Sequence, residues 1–304
     1  MKIAVLGAGA MGMLFGSYLS QKNDVILVEI DPQRVEMINK NGVCIHEKEA
    51  EKRMYPRAVS DTKDMNPVDL ILIFVKSMFT ESALVANRHL IGKNTYLMTL
   101  QNGAGHEKKL LKFADESHVI IGTTQHNSSI ISNGVINHGG SGKTSIGLLR
   151  GGSAVLQPVA ESFSECGLEC FTSDDVKKQI WTKLFTNTAA SSLTAVLQVP
   201  LGYLAKNEYA NSLMKTLCRE AVAVANAEGF AEFDEDEAIA GVETVCRNAP
   251  NGYTSIYADI RDGRRTEVDT ISGSVVDAAK ACGVPVPYHE MIVKLIHALE
   301  QRNK

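Results

Sequence analysis

Cysteine is sparse and lacks any paired pattern: Cys44, Cys166, Cys170, Cys218, Cys246 and Cys282 are scattered over 304 residues without one Cys-x-x-Cys. A zinc ribbon and a disulfide framework are excluded, and reduced thiols in a cytoplasmic compartment fit instead. A basic excess is lacking too. Lys plus Arg number 31 against 35 Asp plus Glu, a net charge of −4, so no positive field favours a nucleic-acid partner. No apolar run is long enough to span a bilayer, and the stretch 3–19 is broken by glycines and has no charged leader, so neither a signal peptide nor a membrane partner is expected. Repeats and low-complexity tracts are absent. With 44% hydrophobic and 22% charged residues, the composition excludes disorder, collagen and a membrane bundle and suits a soluble globular protein.

What is present has a clear rhythm. Strands are expected over 3–6, 25–29, 69–75 and 96–100, and helices over 11–21, from Asp31-Pro32 onward, and over 80–90. Continuous apolar strands separated by helices indicate a parallel sheet covered on both faces. Over 119–148 the pattern is strand and turn, consistent with extra strands closing the edge of that sheet. Beyond about residue 173 strand signals nearly vanish, and 175–197, 209–228, 235–249, 270–282 and 291–300 have helical spacing. The reading is an α/β chain with two domains: an N-terminal Rossmann-type dinucleotide-binding domain over 1–172 and an all-α domain over 173–304. One continuous domain with a helical cap is the alternative.

Glycine, scarce in the helices, clusters where it matters. Gly7-Ala8-Gly9-Ala10-Met11-Gly12 fits G-x-G-x-x-G, follows the first strand, opens a helix, and is followed by a second strand ending in Glu29, twenty residues beyond Gly9. In that context Gly7 permits a tight turn, Gly9 lets the backbone approach a pyrophosphate, and Gly12 allows close packing of helix on strand. The free N–H groups of the helix start would receive the pyrophosphate. Glu29 can accept hydrogen bonds from the adenosine ribose hydroxyls and would repel a 2′-phosphate, which favours NADH. Arg34 could still reach a phosphate, and Glu29 could instead point away while Asp31 merely starts a helix. A second glycine-rich stretch, 137–144, ends like a Walker loop but is followed by a strand, so a hairpin turn is expected there.

Two polar segments stand out in the helical half. Lys183, Asn187 and Ser191 are spaced by four and share one face of the most apolar helix, either an exposed face or the wall of a cleft. The charged stretch 255–269 joins a helix or turn to the next helix, with Gly263 as its break. Its charges are compatible with a solvated connection.

Taken in order, the glycine loop, Val75-Lys76 at a strand end, Gln101-Asn102-Gly103, Trp181-x-Lys183-x-x-x-Asn187, Leu193-Thr194-Ala195, Ser255 with Asp259, and Gly263-Arg264-x-Thr266-Glu267-Val268-Asp269 resemble the ketopantoate reductase (2-dehydropantoate 2-reductase) family. The motifs span almost the whole chain. The resemblance implies reduction of the 2-keto group of ketopantoate to D-pantoate, on the route to pantothenate and coenzyme A, by hydride from C4 of a nicotinamide. It implies that Lys183 donates the proton to the developing alkoxide and that Glu267 helps order substrate and cofactor beside it. It also implies that Asn187 and Ser255 bind substrate, that Asn102 lies at the nicotinamide and substrate, and that Lys76 lies near the same cleft, between the domains. By family resemblance the cofactor is NADPH, no metal is involved, and the protein is a monomer or homodimer.

The sequence departs from that pattern at three places. Ser191 stands where many members have a second asparagine, and can still donate one hydrogen bond to substrate; Leu201 stands where a further asparagine is expected. Ile30, after Glu29, replaces a basic residue typical of members that use NADPH. These departures leave hydride transfer intact and keep open an NAD-dependent D-2-hydroxy acid dehydrogenase acting on branched or aromatic 2-keto acids. A noncatalytic dinucleotide-binding sensor is the remaining alternative, opposed by Lys183, Asn187, Ser255 and Glu267.

Overall fold

The structure is a computed structural model that describes residues 1–48 and 50–302. The chain divides into two units, Met1–Gln101 with His106–Val176, and Asn102–Gly105 with the residues from Lys177 onward. Among the described residues no helix is long and apolar enough to cross a membrane.

The first unit contains strands β1 (Lys2–Leu6), β2 (Asp24–Val28), β3 (Val43–Glu47), β4 (Ala50–Met54), β5 (Arg57–Val59), β6 (Leu70–Ile73), β7 (Tyr96–Thr99), β8 (Val119–Thr124), β9 (Asn127–Ser132), β10 (Val135–Gly140), β11 (Thr144–Leu148) and β12 (Cys170–Thr172). Its helices are α1 (Ala10–Leu19), α2 (Pro32–Asn41), α3 (Thr80–Ala86), α4 (Glu107–Leu110) and α5 (Gln157–Glu165). The main sheet runs β12-β11-β8-β7-β6-β1-β2-β5. All neighbouring pairs in it are parallel except β8 with β11. Because the strand order reverses between β1 and β6, the loop after β1 opens at a switch point, where doubly wound sheets bind ligands. Ile3, Val5, Leu27, Leu70, Leu72 and Met98 form the core with Leu14 and Phe15 of α1, which is why these strands read as nearly unbroken apolar runs.

Of the strands expected over 119–148, only β8 and β11 join this sheet. β9 and β10 leave it for a second sheet, ordered β4-β3-β10-β9. The hairpin that receives them was hidden: all but Met54 in β4 are exposed, so that strand has no apolar alternation to read. The Walker-like stretch is likewise a link between two sheets and not a hairpin turn, since β10 pairs with β3 and β9 while β11 pairs with β8 and β12.

The second unit is helical. Its elements are α6 (Val176–Thr186), a π turn (Asn187–Ser191), α7 (Ser192–Leu197), α8 (Leu201–Lys206), α9 (Glu208–Ala227), α10 (Glu235–Asn248), α11 (Ser255–Arg261), α12 (Ser272–Cys282) and α13 (Pro287–Gln301). Trp181, Phe185, Met214, Leu217, Val242 and Ile296 lie in one buried core. α8 was not foreseen. Pro200 precedes it and Gly202 packs against Pro250, where a Cβ would come within 2.7 Å of the Pro250 carbonyl oxygen.

Candidate active site

The glycine loop takes its form from its neighbours. Gly7 has φ +97°, and a Cβ there would lie 2.8 Å from the Val75 nitrogen, so only glycine fits both the turn and the approach of the β6 end. A Cβ on Gly12 would come within 1.9 Å of the Gly7 carbonyl oxygen. The expected helix-on-strand contact is thus a helix-on-loop contact, because the carbonyl of the turn itself lies over the first turn of α1. A Cβ on Gly9 would meet nothing within 4 Å. Gly9 leaves open space at the helix start, where the first N–H groups have no intrahelical acceptor, and that suits close approach of a pyrophosphate.

Glu29 faces this loop. Its Oε2 accepts from the Ala8 N–H at 3.1 Å and pairs with Arg34 Nη1 at 3.0 Å, while Oε1 accepts from the Asp31 N–H at 3.1 Å. Asp31 also caps α2, accepting from the Gln33 and Arg34 N–H groups, with Pro32 at the first helical position. Glu29 therefore does not point away, and Arg34 is turned onto it. Ile30 is 91% exposed. Lys76, partly buried, precedes the short turn Ser77–Phe79, and its carbonyl accepts from the Phe79 N–H. Gln101 locks the neighbouring strand ends, donating to the Val75 carbonyl at 2.6 Å and accepting from the Thr99 hydroxyl.

In the helical unit the remaining candidates lie on segments linked through neighbouring hydroxyls. Lys183 and Asn187, both partly buried, lie one turn apart across the start of the π turn, a wide turn that is uncommon and frequent at functional sites. Burial of the Lys183 amine lowers its pKa to about 8, because a charged ammonium loses hydration there. Ser191 is buried, and its carbonyl accepts from the Thr194 hydroxyl at 3.0 Å. Thr194 and Thr254 share a hydroxyl contact of 2.9 Å, and Thr254 caps α11, placing exposed Ser255 at its first position. On the other side Ser192 and Ser272 hydroxyls meet at 2.8 Å, which ties the π turn to the segment carrying Glu267.

That segment also carries the Asn102 loop. Gly103 has φ +105°, with a would-be Cβ 1.9 Å from the Thr270 carbonyl oxygen, and the Ala104 N–H donates to the same oxygen at 3.1 Å. Glu267 is partly buried and its carbonyl accepts from the Thr270 and Ile271 N–H groups. Asp259 and Arg264 pair at 2.9 Å and brace the turn at Gly263, φ +66°. Sequence reasoning missed Thr254, Ser192 and Ser272, small hydroxyls with no spacing of their own; their one signal is polarity at positions that helical packing buries.

Leu201, at the expected asparagine position, is 8% exposed and belongs to the apolar core, its N–H bonded to the Gly252 carbonyl at 3.0 Å. All six cysteines are free. Among the described residues one trio, Cys44, His46 and Glu51 on the small sheet, has metal-ligand atoms within 4.8 Å of one another, but Arg53 competes for the Glu51 carboxylate at 3.3 Å.

Residues 3–151 match the family model for ketopantoate reductase PanE/ApbA, and residues 175–300 match that for its C-terminal domain. The chain belongs to the ketopantoate reductase family. Among its relatives, the 2-dehydropantoate 2-reductase of Pyrococcus abyssi is 32% identical over 303 residues, 99% of this chain and 98% of the relative. Among solved structures, D-mandelate dehydrogenase with NADH and anilino(oxo)acetate is 33% identical, with a TM-score of 0.92 over 99% of this chain and 98% of that one. A PanE/ApbA family ketopantoate reductase from Ralstonia eutropha is 29% identical, with a TM-score of 0.90 over 99% of both. This ketopantoate reductase family member is therefore an oxidoreductase that uses a nicotinamide dinucleotide.

Proposed function

We propose that this family member reduces 2-dehydropantoate to D-pantoate in pantothenate and coenzyme A synthesis, in the reducing interior of the cell, with NADH as the preferred dinucleotide. The observation that carries the chemistry is Lys183. An amine with a pKa of about 8 is protonated near neutrality yet surrenders its proton readily, so it can stabilise and then protonate an oxygen gaining negative charge.

The residues present fit a dinucleotide. The open space beside Gly9 and the N–H groups at the start of α1, which have no intrahelical acceptor, suit its pyrophosphate, and Glu29 suits its ribose. When bound, the nicotinamide supplies the hydride. Lys183 holds the proton, Asn187, Ser191 and Ser255 orient the keto acid, and Glu267 and Asn102 order the reacting groups. Lys76 steadies the bound ligands from the end of β6. A purely sensory role would leave a desolvated lysine with a cost and no use.

Cofactor preference follows from the Glu29–Arg34 pair. Glu29→Ala is expected to lower kcat/KM for NADH while freeing Arg34 to meet a 2′-phosphate, shifting the NADH to NADPH ratio by roughly tenfold or more. Steady-state kinetics with both dinucleotides test this, and a larger loss with NADPH would reverse the assignment.

A second reading, an NADH-dependent D-2-hydroxy acid dehydrogenase for branched or aromatic 2-keto acids, is favoured by Leu201. A leucine sunk in the core offers nothing to the 4-hydroxyl of ketopantoate, and Ser191 offers less than asparagine would. The deciding experiment compares ketopantoate, 2-ketoisovalerate and phenylglyoxylate with each reduced dinucleotide. Ketopantoate is expected to have the highest kcat/KM; a tenfold preference for either ketone lacking the 4-hydroxyl would establish the second reading in its place.

A further inference from the structure

Away from the residues assigned so far, α13 carries a charged network that no part of the proposed chemistry uses. Glu300 Oε1 accepts both the Thr266 N–H and the Thr266 hydroxyl at 2.7 Å. His297 lies between two carboxylates, with Nδ1 2.9 Å from Glu300 Oε2 and Nε2 2.9 Å from Asp269 Oδ1. Arg265 stands behind, 3.6 Å from the second oxygen of Asp269. Thr266 is 1% exposed, and its hydroxyl accepts from the Val268 N–H at 3.2 Å. The network grips the chain one residue before Glu267 and two residues after it.

We propose that Glu300 and His297 are positioning residues that hold the Glu267 turn in its working geometry. This rests on the role proposed above for Glu267. The physical basis is that Glu267 precedes a single short turn, Val268–Thr270, and is not held within a long helix. Its carbonyl is fixed from the Thr270 side by backbone bonds, and the contacts at Thr266 and Asp269 tie the turn to α13. Both ring nitrogens of His297 face carboxylate oxygens, a geometry that favours the protonated ring, in which both nitrogens donate. Burial pulls the His297 pKa down, but the bonds to Glu300 and Asp269 outweigh it and raise it. The ring bridges the two carboxylates, so α13 is tied to the chain at Thr266 through Glu300 and at Asp269 through His297, on both sides of Glu267.

The test is a double-mutant cycle. Glu300→Gln keeps an oxygen for Thr266 but sets an amide N–H group or a weaker acceptor against His297, loosening the clamp without removing side-chain volume. Glu300→Gln and His297→Gln are each expected to lower kcat/KM for the keto acid about tenfold to a hundredfold, the cost of a misplacement near one ångström. In a Glu267→Gln background the same changes should have almost no further effect, because they act through Glu267. Thr266→Val should behave like Glu300→Gln, and Thr266→Ser should restore activity. A full additional loss in the Glu267→Gln background would mean general loosening of the fold and would overturn the proposal. So would wild-type turnover in Glu300→Gln when Glu267→Gln is impaired. If Glu267→Gln itself turns over normally, the role of Glu267 fails first and the positioning role falls with it.

Discussion

Lys183→Met is expected to lower kcat by roughly a hundredfold to ten-thousandfold, the range that positioned general acids contribute, while NADH still binds. Methionine keeps the length and apolar character of the side chain, so the core around Trp181 and Phe185 should persist. The thermal midpoint is not expected to fall, since burying the Lys183 amine opposes folding whenever it is charged. The pH dependence carries the same signature. With a pKa lowered to about 8, Lys183 is protonated below that value, so kcat for keto-acid reduction should be level below about pH 8 and fall above it as the acid is lost. The stability effect has the opposite sign: a depressed lysine pKa penalises the folded state below about 8, and the penalty fades as pH rises toward the lysine's ordinary value. Stopped-flow or steady-state kinetics with tryptophan-quench titration of NADH check both parts. Unchanged turnover in Lys183→Met would remove the lysine from the mechanism.

Gly12→Ala is expected to damage both folding and binding, whereas Gly9→Ala should damage binding alone. At Gly12 a methyl group would lie 1.9 Å from the Gly7 carbonyl oxygen, a backbone atom that cannot turn aside, so the loop and the start of α1 must separate. Overpacking of this kind costs about 1–3 kcal/mol, and tilting the helix start would weaken dinucleotide binding by roughly tenfold or more. At Gly9 a methyl group meets no protein atom within 4 Å, so the melting temperature should stay at its wild-type value. Its only obstacle is a pyrophosphate approaching the helix start. Paired melting curves and NADH titrations separate the two: equal affinity in Gly9→Ala and wild type would contradict the placement of the pyrophosphate there.

These paired glycines also show how far residue order alone carries. The spacing of Gly7, Gly9 and Gly12, the strand before them and Glu29 after them were readable because each is local: a turn, a helix start and the end of the next strand lie within one βαβ unit. Apolar runs announced β1, β6 and β7 because a parallel strand is buried on both faces. β4 had no such signal, since exposed strands carry no periodicity, and the departure of β9 and β10 into a second sheet is a choice of partner that spacing does not encode. Lys183 and Asn187 were legible as a stripe, but the π turn that begins at Asn187 was not, because widening a helix by one residue per turn leaves no mark in composition.

Residue order by itself determined the α/β and all-α halves, the glycine loop with its helix start, the family and the identity of the candidate acid, since each rests on local spacing or on side-chain chemistry. Only the tertiary structure decided that Gly12 is needed against Gly7, that Arg34 is spent on Glu29, that Leu201 is core, and that Asn102 rides on Thr270. It also decided that Glu300 and His297, far along the chain from Glu267, bond to Thr266 and Asp269 on either side of it. The reason is common to all of these: they are contacts between segments far apart in sequence, or inward turns of single side chains, and those are fixed by packing and hydrogen-bond satisfaction in three dimensions.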